Sequence, residues 1–311
     1  MNGDTALQLL AKGLVDPFPE RGVNLRLFNP QVIKRLRSPS GELAGLPLMV
    51  QTQLACFHRK RLPAAPATLA ELLQTSAQGH PVGLSMEAYN LFWTVGSLGA
   101  LDAIDTAAAG RQPSLHQQQR IERWLGWLQN ASNQQRVTFY ASQPSMEAEF
   151  VAGRLDWFPC RSTALPRLRK TLGEALGVAP LPNGEGGTAS PINHLRVLTL
   201  GTNSSRGSRQ RALAYSHFSL NPLSQRNLTL GSQVVLPANR FVQVPTNSSA
   251  VLGAIVTSAE QGNQTNTLVE LIHSSDPRVP AIQALFTNLV FGEVRPGSAA
   301  QSLVTILRNQ P

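Results

Sequence analysis

Residues 146–205 place the tightest constraint on what this chain can fold into. They begin Met146-Glu-Ala-Glu-Phe150-Val-Ala-Gly153, a run that stops at a glycine as helices commonly do. A basic segment to Gly177 follows, then the Pro-bounded extended run Val178-Ala-Pro-Leu-Pro182 and a Gly-rich loop over 183–191. The stretch closes with Val197-Leu-Thr-Leu-Gly201-Thr-Asn203-Ser-Ser205. A helix, a crossing, an extended exit and a strand stopping at Gly-x-Asn predict a chain that passes between two α/β lobes with a cleft between them.

The length allows this, since 311 residues suffice for one large or two ordinary domains. A content of 42% hydrophobic and 14% charged residues is that of a globular protein. No apolar run reaches the roughly 18–20 residues of a membrane helix. Residues 1–5 have neither the basic nor the apolar region of a signal peptide, so the chain as written is expected in the cytoplasm.

The charge balance is basic, 27 Lys and Arg against 18 Asp and Glu, net +9, which brings a polyanionic partner into consideration. The cations cluster mildly at 34–37, 59–61, 167–170 and 206–211, without the interleaved aromatics of a stacking platform. They read as solvated faces. Cys56 and Cys160 form neither a disulfide framework nor a zinc spacing and are expected to be free, partly buried thiols.

Strands and helices alternate along the chain, with no internal repeats. A helix is expected over 5–14, with Leu7, Leu10 and Leu14 on one side, and an extended apolar run over 46–57. Thr68 and Glu71 suggest a capping box ahead of Leu69, Leu72 and Leu73. Residues 82–84 read as a strand, 92–104 as a buried helix and 137–140 as a strand. Ile121, Trp124, Leu125 and Leu128 recur at helical spacing, which assigns Trp124 and Trp127 to a core. Leu165, Leu168, Leu172 and Leu176 trace one helix face; a helix is expected over 209–220, with Ser204 or Ser205 capping the turn that leads into it. Residues 241–244 read as a strand, and 280–291 and 298–307 as helices, the last with Ala300, Leu303 and Leu307 inward.

Catalytic signatures are missing. The six histidines are scattered, and no Gly-x-Ser-x-Gly elbow, phosphate loop or dinucleotide fingerprint occurs. Gly184-Glu-Gly-Gly187 does not join a strand to a helix, so it is a poor phosphate cradle. Asp102/Asp105 and Glu147/Glu149 sit in helical contexts where solvation is the default. No enzyme, no cofactor and no metal are expected.

Several stretches come in an informative order: Leu9-Leu-Ala-Lys-Gly-Leu14, Gly41-Glu-Leu-Ala-Gly-Leu-Pro47, Leu54-Ala-Cys-Phe-His-Arg-Lys-Arg-Leu62 and Pro66-Ala-Thr-Leu-Ala-Glu-Leu72. Phe150-Val-Ala-Gly153, residues 178–182, Gly201-Thr-Asn203-Ser and residues 286–300 with Gly292 complete the set. In that order, over about nine-tenths of the chain by eye, the sequence resembles the extracellular solute-binding proteins of ABC importers, in the maltose-binding-like family. Phe57-His58-Arg59 stands where the family has Tyr-Asn-Lys, and Leu69 replaces a Trp.

The resemblance implies a periplasmic-binding-protein-like α/β fold: two lobes joined by a hinge of crossing strands and closing on a solute by hinge motion. Residues 1–49 and 200–245 would form the first lobe, and 50–199 with 246–311 the second. The strand–helix–strand–helix–strand that opens the family's first lobe is not matched. The resemblance therefore implies a first lobe lacking its N-terminal part, through a truncated gene model or as a degenerate remnant. It also implies periplasmic or membrane-associated placement, a monomer working with ABC permease subunits, and no nucleic acid partner.

Candidate ligand-binding residues by position are Gln51, Glu87, Tyr89, Asn90, Arg161, Ser162 and Thr163. Tyr89 and Trp93 follow a strand end, where open α/β sheets bind ligands, although Trp93 suits a core equally. Arg161 suits an anionic group or a neighbouring carboxylate. Ser162-Thr163 and Val279 with Gln283 stand where maltodextrin binders carry aromatics and an Arg, so a small sugar, polyol or sugar phosphate fits better than a long glucan. A basic polyanion-binding protein, or a binding-protein remnant without transport activity, is the alternative.

Overall fold

A computed structural model of the protein describes residues 1–265, 268 and 276–309. In chain order its helices and strands are α1 (Gly3–Ala11), β1 (Val15–Asp16), α2 (Pro30–Arg35), β2 (Leu46–Gln51), β3 (Gln53–His58), α3 (Leu69–Ala77), β4 (Val82–Ser85), α4 (Ala88–Leu91), α5 (Trp93–Ser97), α6 (Leu101–Ala108), α7 (Leu115–Ser132) and β5 (Val137–Tyr140). There follow α8 (Gln143–Val151), β6 (Trp157–Arg161), α9 (Leu165–Leu172), β7 (Leu176–Ala179), β8 (His194–Leu198), β9 (Leu200–Gly201), α10 (Arg206–Ser219), α11 (Pro222–Ser232), β10 (Leu236–Pro237), α12 (Ala250–Gln261), α13 (Arg278–Val290) and α14 (Pro296–Arg308).

Two compact α/β units result. The first is Met1–Thr52 with His194–Val256, the second Gln53–Asn193 with Thr257–Pro311. The chain passes between them at 52/53, at 193/194 and within α12. The second passage precedes β8 because β8 pairs with β2, from Leu46↔Leu198 to Gln51↔His194, and so belongs to the first unit.

The first unit has an antiparallel sheet of order β10-β2-β8 and a small β1-β9 pair. Its core joins Ala6 of α1 to Phe18, Phe28, Leu36, Leu43, Leu46, Val197 and Leu220. Leu14, expected on the inner side of the first helix, lies beyond its end and is exposed. Residues 241–244 are not a strand: the short strand is β10, bonded to β2, and Phe241 beyond it faces solvent.

The second unit has a five-stranded mixed sheet of order β5-β4-β6-β3-β7. β4 runs parallel to β5 and β6, while β3 runs antiparallel to β6 and β7. The C-terminal ends of β4, β5 and β6 and the start of β3 therefore share one sheet end. α7 begins with a Ser114–Gln117 capping box and buries Ile121, Trp124, Leu125, Leu128 and Ala131. Trp124 and Phe286 meet edge to face with centroids 5.4 Å apart, and Phe92 packs on both. α8 ends at Gly153, whose φ of +78° allows the left-handed turn that closes the helix.

Several expectations change here. The buried run over 92–104 is broken into α5 and α6, with Gly99 at φ +70° between them. Leu176 leaves the α9 face because Gly173 ends that helix and Leu176 opens β7. Thr68 caps α3 through the Glu71 N–H, but the Glu71 carboxylate accepts from Ala67 N–H at 2.8 Å. Glu147 is not solvated; it is buried and paired with Arg167. Arg61 of the 59–61 cluster is ion-paired to Asp156 at 2.9 Å, and Arg209 of the 206–211 cluster pairs with Asp16.

The cysteines also differ from expectation. Cys56 and Cys160 are bonded as a disulfide with their Cα atoms 5.7 Å apart, both fully buried. β3 and β6 are neighbours in register, Leu54↔Cys160 and Cys56↔Phe158, which brings the two residues together across 104 positions of sequence. Only the strand pairing makes them partners.

Candidate functional site

Ser85 ends β4, and its side chain folds the next residues. The buried hydroxyl accepts from the Glu87 N–H at 3.1 Å and from the Asn90 amide at 3.3 Å. Gln283 of α13 holds the same turn from outside: Oε1 accepts from Ala88 N–H at 2.9 Å and Nε2 donates to the Met86 carbonyl at 2.8 Å. α4 is thereby fixed just past the C-terminal end of a parallel strand, where α/β sheets place ligands.

Four predicted residues meet there. Tyr89 donates its hydroxyl to Glu87 Oε2 at 3.1 Å, and Asn90 Nδ2 donates to the same oxygen at 2.5 Å. Arg161, the last residue of β6, donates from Nη2 to the Tyr89 oxygen at 2.9 Å and to Asn90 Oδ1 at 3.2 Å. Its guanidinium carbon lies 5.5 Å from the Tyr89 ring centroid. Gln53, opposite Arg161 across β3–β6, donates to the Asn90 carbonyl at 3.5 Å and accepts from Ile192 N–H at 2.8 Å.

A carboxylate and a guanidinium are thus joined through a phenol and an amide. Asn90, Ser85 and Gln53 are buried; Glu87, Tyr89 and Arg161 are half-buried. Burial pushes the Tyr89 phenol above its ordinary pKa, and the Arg161 charge acts in the opposite direction. The Arg161 Nε is buried and makes no hydrogen bond among the described residues. Such a group offers donors, acceptors and one aromatic edge at a single place, which suits a small, hydroxyl-bearing molecule. Among the described residues no group of three His, Cys, Asp or Glu is placed to hold a metal ion; His273 lies outside them.

Ser162 and Thr163 follow Arg161 in a 3₁₀ turn, Ser162 fully buried and Thr163 exposed. Gln51 belongs to the first unit, half-buried at the end of β2 opposite His194. Trp93 is a core residue, packed on Trp157 with centroids 6.2 Å apart. Sequence reasoning missed Gln53, Ser85 and Gln283 as supports. In the sequence Gln283 stands out only as a departure from a family pattern, and Ser85 carries no signal beyond its place at a strand end.

No family model and no curated protein sequence matches this chain. Solved structures do match. The chain is similar to the GacH receptor of Streptomyces glaucescens GLA.O, studied unliganded and with acarbose, at TM-score 0.77 and 15% identity over 100% of this chain and 83% of that one. It is similar to the maltose-maltodextrin binding protein of Alicyclobacillus acidocaldarius at TM-score 0.68 and 19% identity, over 99% and 83%. The maltodextrin binding protein MalE1 from L. casei BL23 gives 0.72 and 16%, over 99% and 82%. At these identities the likeness shows the fold alone, and the proteins named are a receptor and binding proteins.

Proposed function

We propose that this protein is the solute-binding subunit of an ABC importer. It takes a small carbohydrate, polyol or sugar phosphate on Glu87, Tyr89, Asn90 and Arg161, with Ser162 and Thr163 next in sequence. It hands the solute to a membrane permease, and no bond in the solute is broken. The observation that carries this reading is the hydrogen-bonded group itself, built at the end of β4 and β6 in a fold of sugar receptors.

The group favours a short ligand. Long glucans need several aromatic faces in succession. Tyr89 is the aromatic residue here, and Arg161 already lies over its ring. The Cys56–Cys160 disulfide suits an oxidising compartment and supports placement outside the cytoplasm, against the reading of residues 1–5.

Calorimetric titration and thermal shift of the full chain against maltose, maltotetraose, acarbose, polyols and glycerol phosphate test the proposal. A ligand at a hundred times its dissociation constant adds about 2.7 kcal/mol of stability. Arg161→Gln then weakens that ligand by roughly 10- to 100-fold, as loss of a charged hydrogen-bond donor does. If none of these compounds raises the melting temperature at millimolar concentration, the proposal is wrong.

A further inference from the structure

In the first unit, α10 and α11 each carry two large apolar side chains on the outside. The buried positions of α10 are Ser216 and Ser219, whose hydroxyls donate to the Ala212 and Tyr215 carbonyls. Tyr215 and Phe218, one turn apart, are 59% and 67% exposed. α11 buries Gln225 and Thr229 and leaves Leu223 66% and Leu228 41% exposed. Gln225 donates to the Leu48 carbonyl at 3.0 Å and accepts from Asn239 N–H at 3.0 Å, so its inward position is fixed by bonding. Phe241 is 62% exposed and, with Leu223, Arg226 and Pro245, lines an open hollow of about 450 Å³. These five residues, all in the first unit, are half of the exposed large hydrophobics among the described residues, and Leu223 and Phe241 line the same hollow.

The charge is equally uneven. The first unit holds 12 Lys and Arg against 4 Asp and Glu, so +8 of the chain's net +9 resides there. Residues 194–256 contain six arginines and no carboxylate. Exposed arginines stand beside the apolar side chains: Arg211 one turn before Tyr215, Arg226 one turn after Leu223, and Arg240 with its guanidinium 4.9 Å from the Phe241 ring centroid.

We propose that this face docks on a phospholipid bilayer surface rich in anionic headgroups. Apolar tips alternating with guanidinium groups match the boundary between acyl chains and phosphates, where aromatic and aliphatic side chains enter and arginines stay at headgroup level. The two leucines favour lipid over nucleic acid, whose bases stack on rings but give an isobutyl group little. Among the described residues no helix is long and apolar enough to cross a membrane.

The test is sedimentation of the full chain with vesicles of phosphatidylcholine alone or mixed with phosphatidylglycerol. Binding is expected to the mixed vesicles and to fall as salt shortens the screening length. Arg211→Gln and Arg226→Gln each reduce partitioning about fivefold. Phe218→Ser and Leu223→Ser reduce it too while leaving the melting temperature intact, and Leu115→Ser in the second unit leaves it unchanged. Absence of binding to mixed vesicles overturns the proposal, as does binding that these substitutions do not alter. So does preferential binding to duplex DNA insensitive to Phe218→Ser, or a self-associated form that those substitutions disperse.

Discussion

Arg161 donates to a neutral phenol and an amide oxygen, and reaches the Glu87 carboxylate through them. Removing one link therefore tests the chain of bonds without unpairing two charges at once. Tyr89→Phe keeps the ring under the guanidinium and deletes two bonds; it should weaken a bound sugar by about 3- to 10-fold, read by calorimetry. Asn90→Ala should also lower stability, because Ser85 and Arg161 lose a buried partner; chemical denaturation would give about 1–3 kcal/mol. His58 provides a test by pH. Burial, and next the Arg61 charge, hold its pKa below 6.5. The unfolded chain therefore takes up the proton first, and the His58 contribution is complete above pH 6.5 and lost as pH falls through the depressed folded value. Denaturation midpoints of the protein and of His58→Asn, compared from neutral pH downward, should separate only on the acid side.

Two connections between elements decide the second unit. The disulfide ties β3 to β6 one residue before Arg161. Closing a loop of this length is worth about 4–5 kcal/mol in the chain-entropy model, and native disulfides commonly give 2–4. Replacing both cysteines by alanine should lower the unfolding free energy by that order and weaken ligand binding as Arg161 loses its rigid support. The Gly-rich loop is the other connection. A Cβ on Gly186 would stand 2.2 Å from the Leu98 carbonyl carbon, and Gly186 N–H donates to the Ser97 carbonyl at 2.9 Å. Its glycines permit close backbone approach to the end of α5. Gly186→Ala should cost about 1–3 kcal/mol, as overpacking does, checked by urea denaturation.

At the scale of the molecule, the two units differ in what stabilises them. The second has the aromatic core and the disulfide; the first has the charge and a smaller core under a short antiparallel sheet. Heating should therefore give two calorimetric transitions, and reductant should lower only that of the second unit. Hydrogen exchange followed unit by unit would assign them. A single transition moved as a whole by reductant would show that the units unfold together.

The amino-acid sequence alone determined the alternation of strands and helices, the helix stop at Gly153, the long helix under Trp124 and the binding-protein resemblance. Periodicity, capping and glycine stops act over a few residues, so they are legible in one dimension. Of the candidate group, Tyr89 is legible because it follows a strand end, and Glu87 and Asn90 by their position in the resemblance. Their union with Arg161 depended on β4 and β6 lying side by side. Only the tertiary structure decided the Cys56–Cys160 bond, the supports Gln53 and Gln283, and the outward face of α10 and α11. Each depends on which element lies against which, and that is settled by pairing across long stretches of chain, where composition and spacing carry no register.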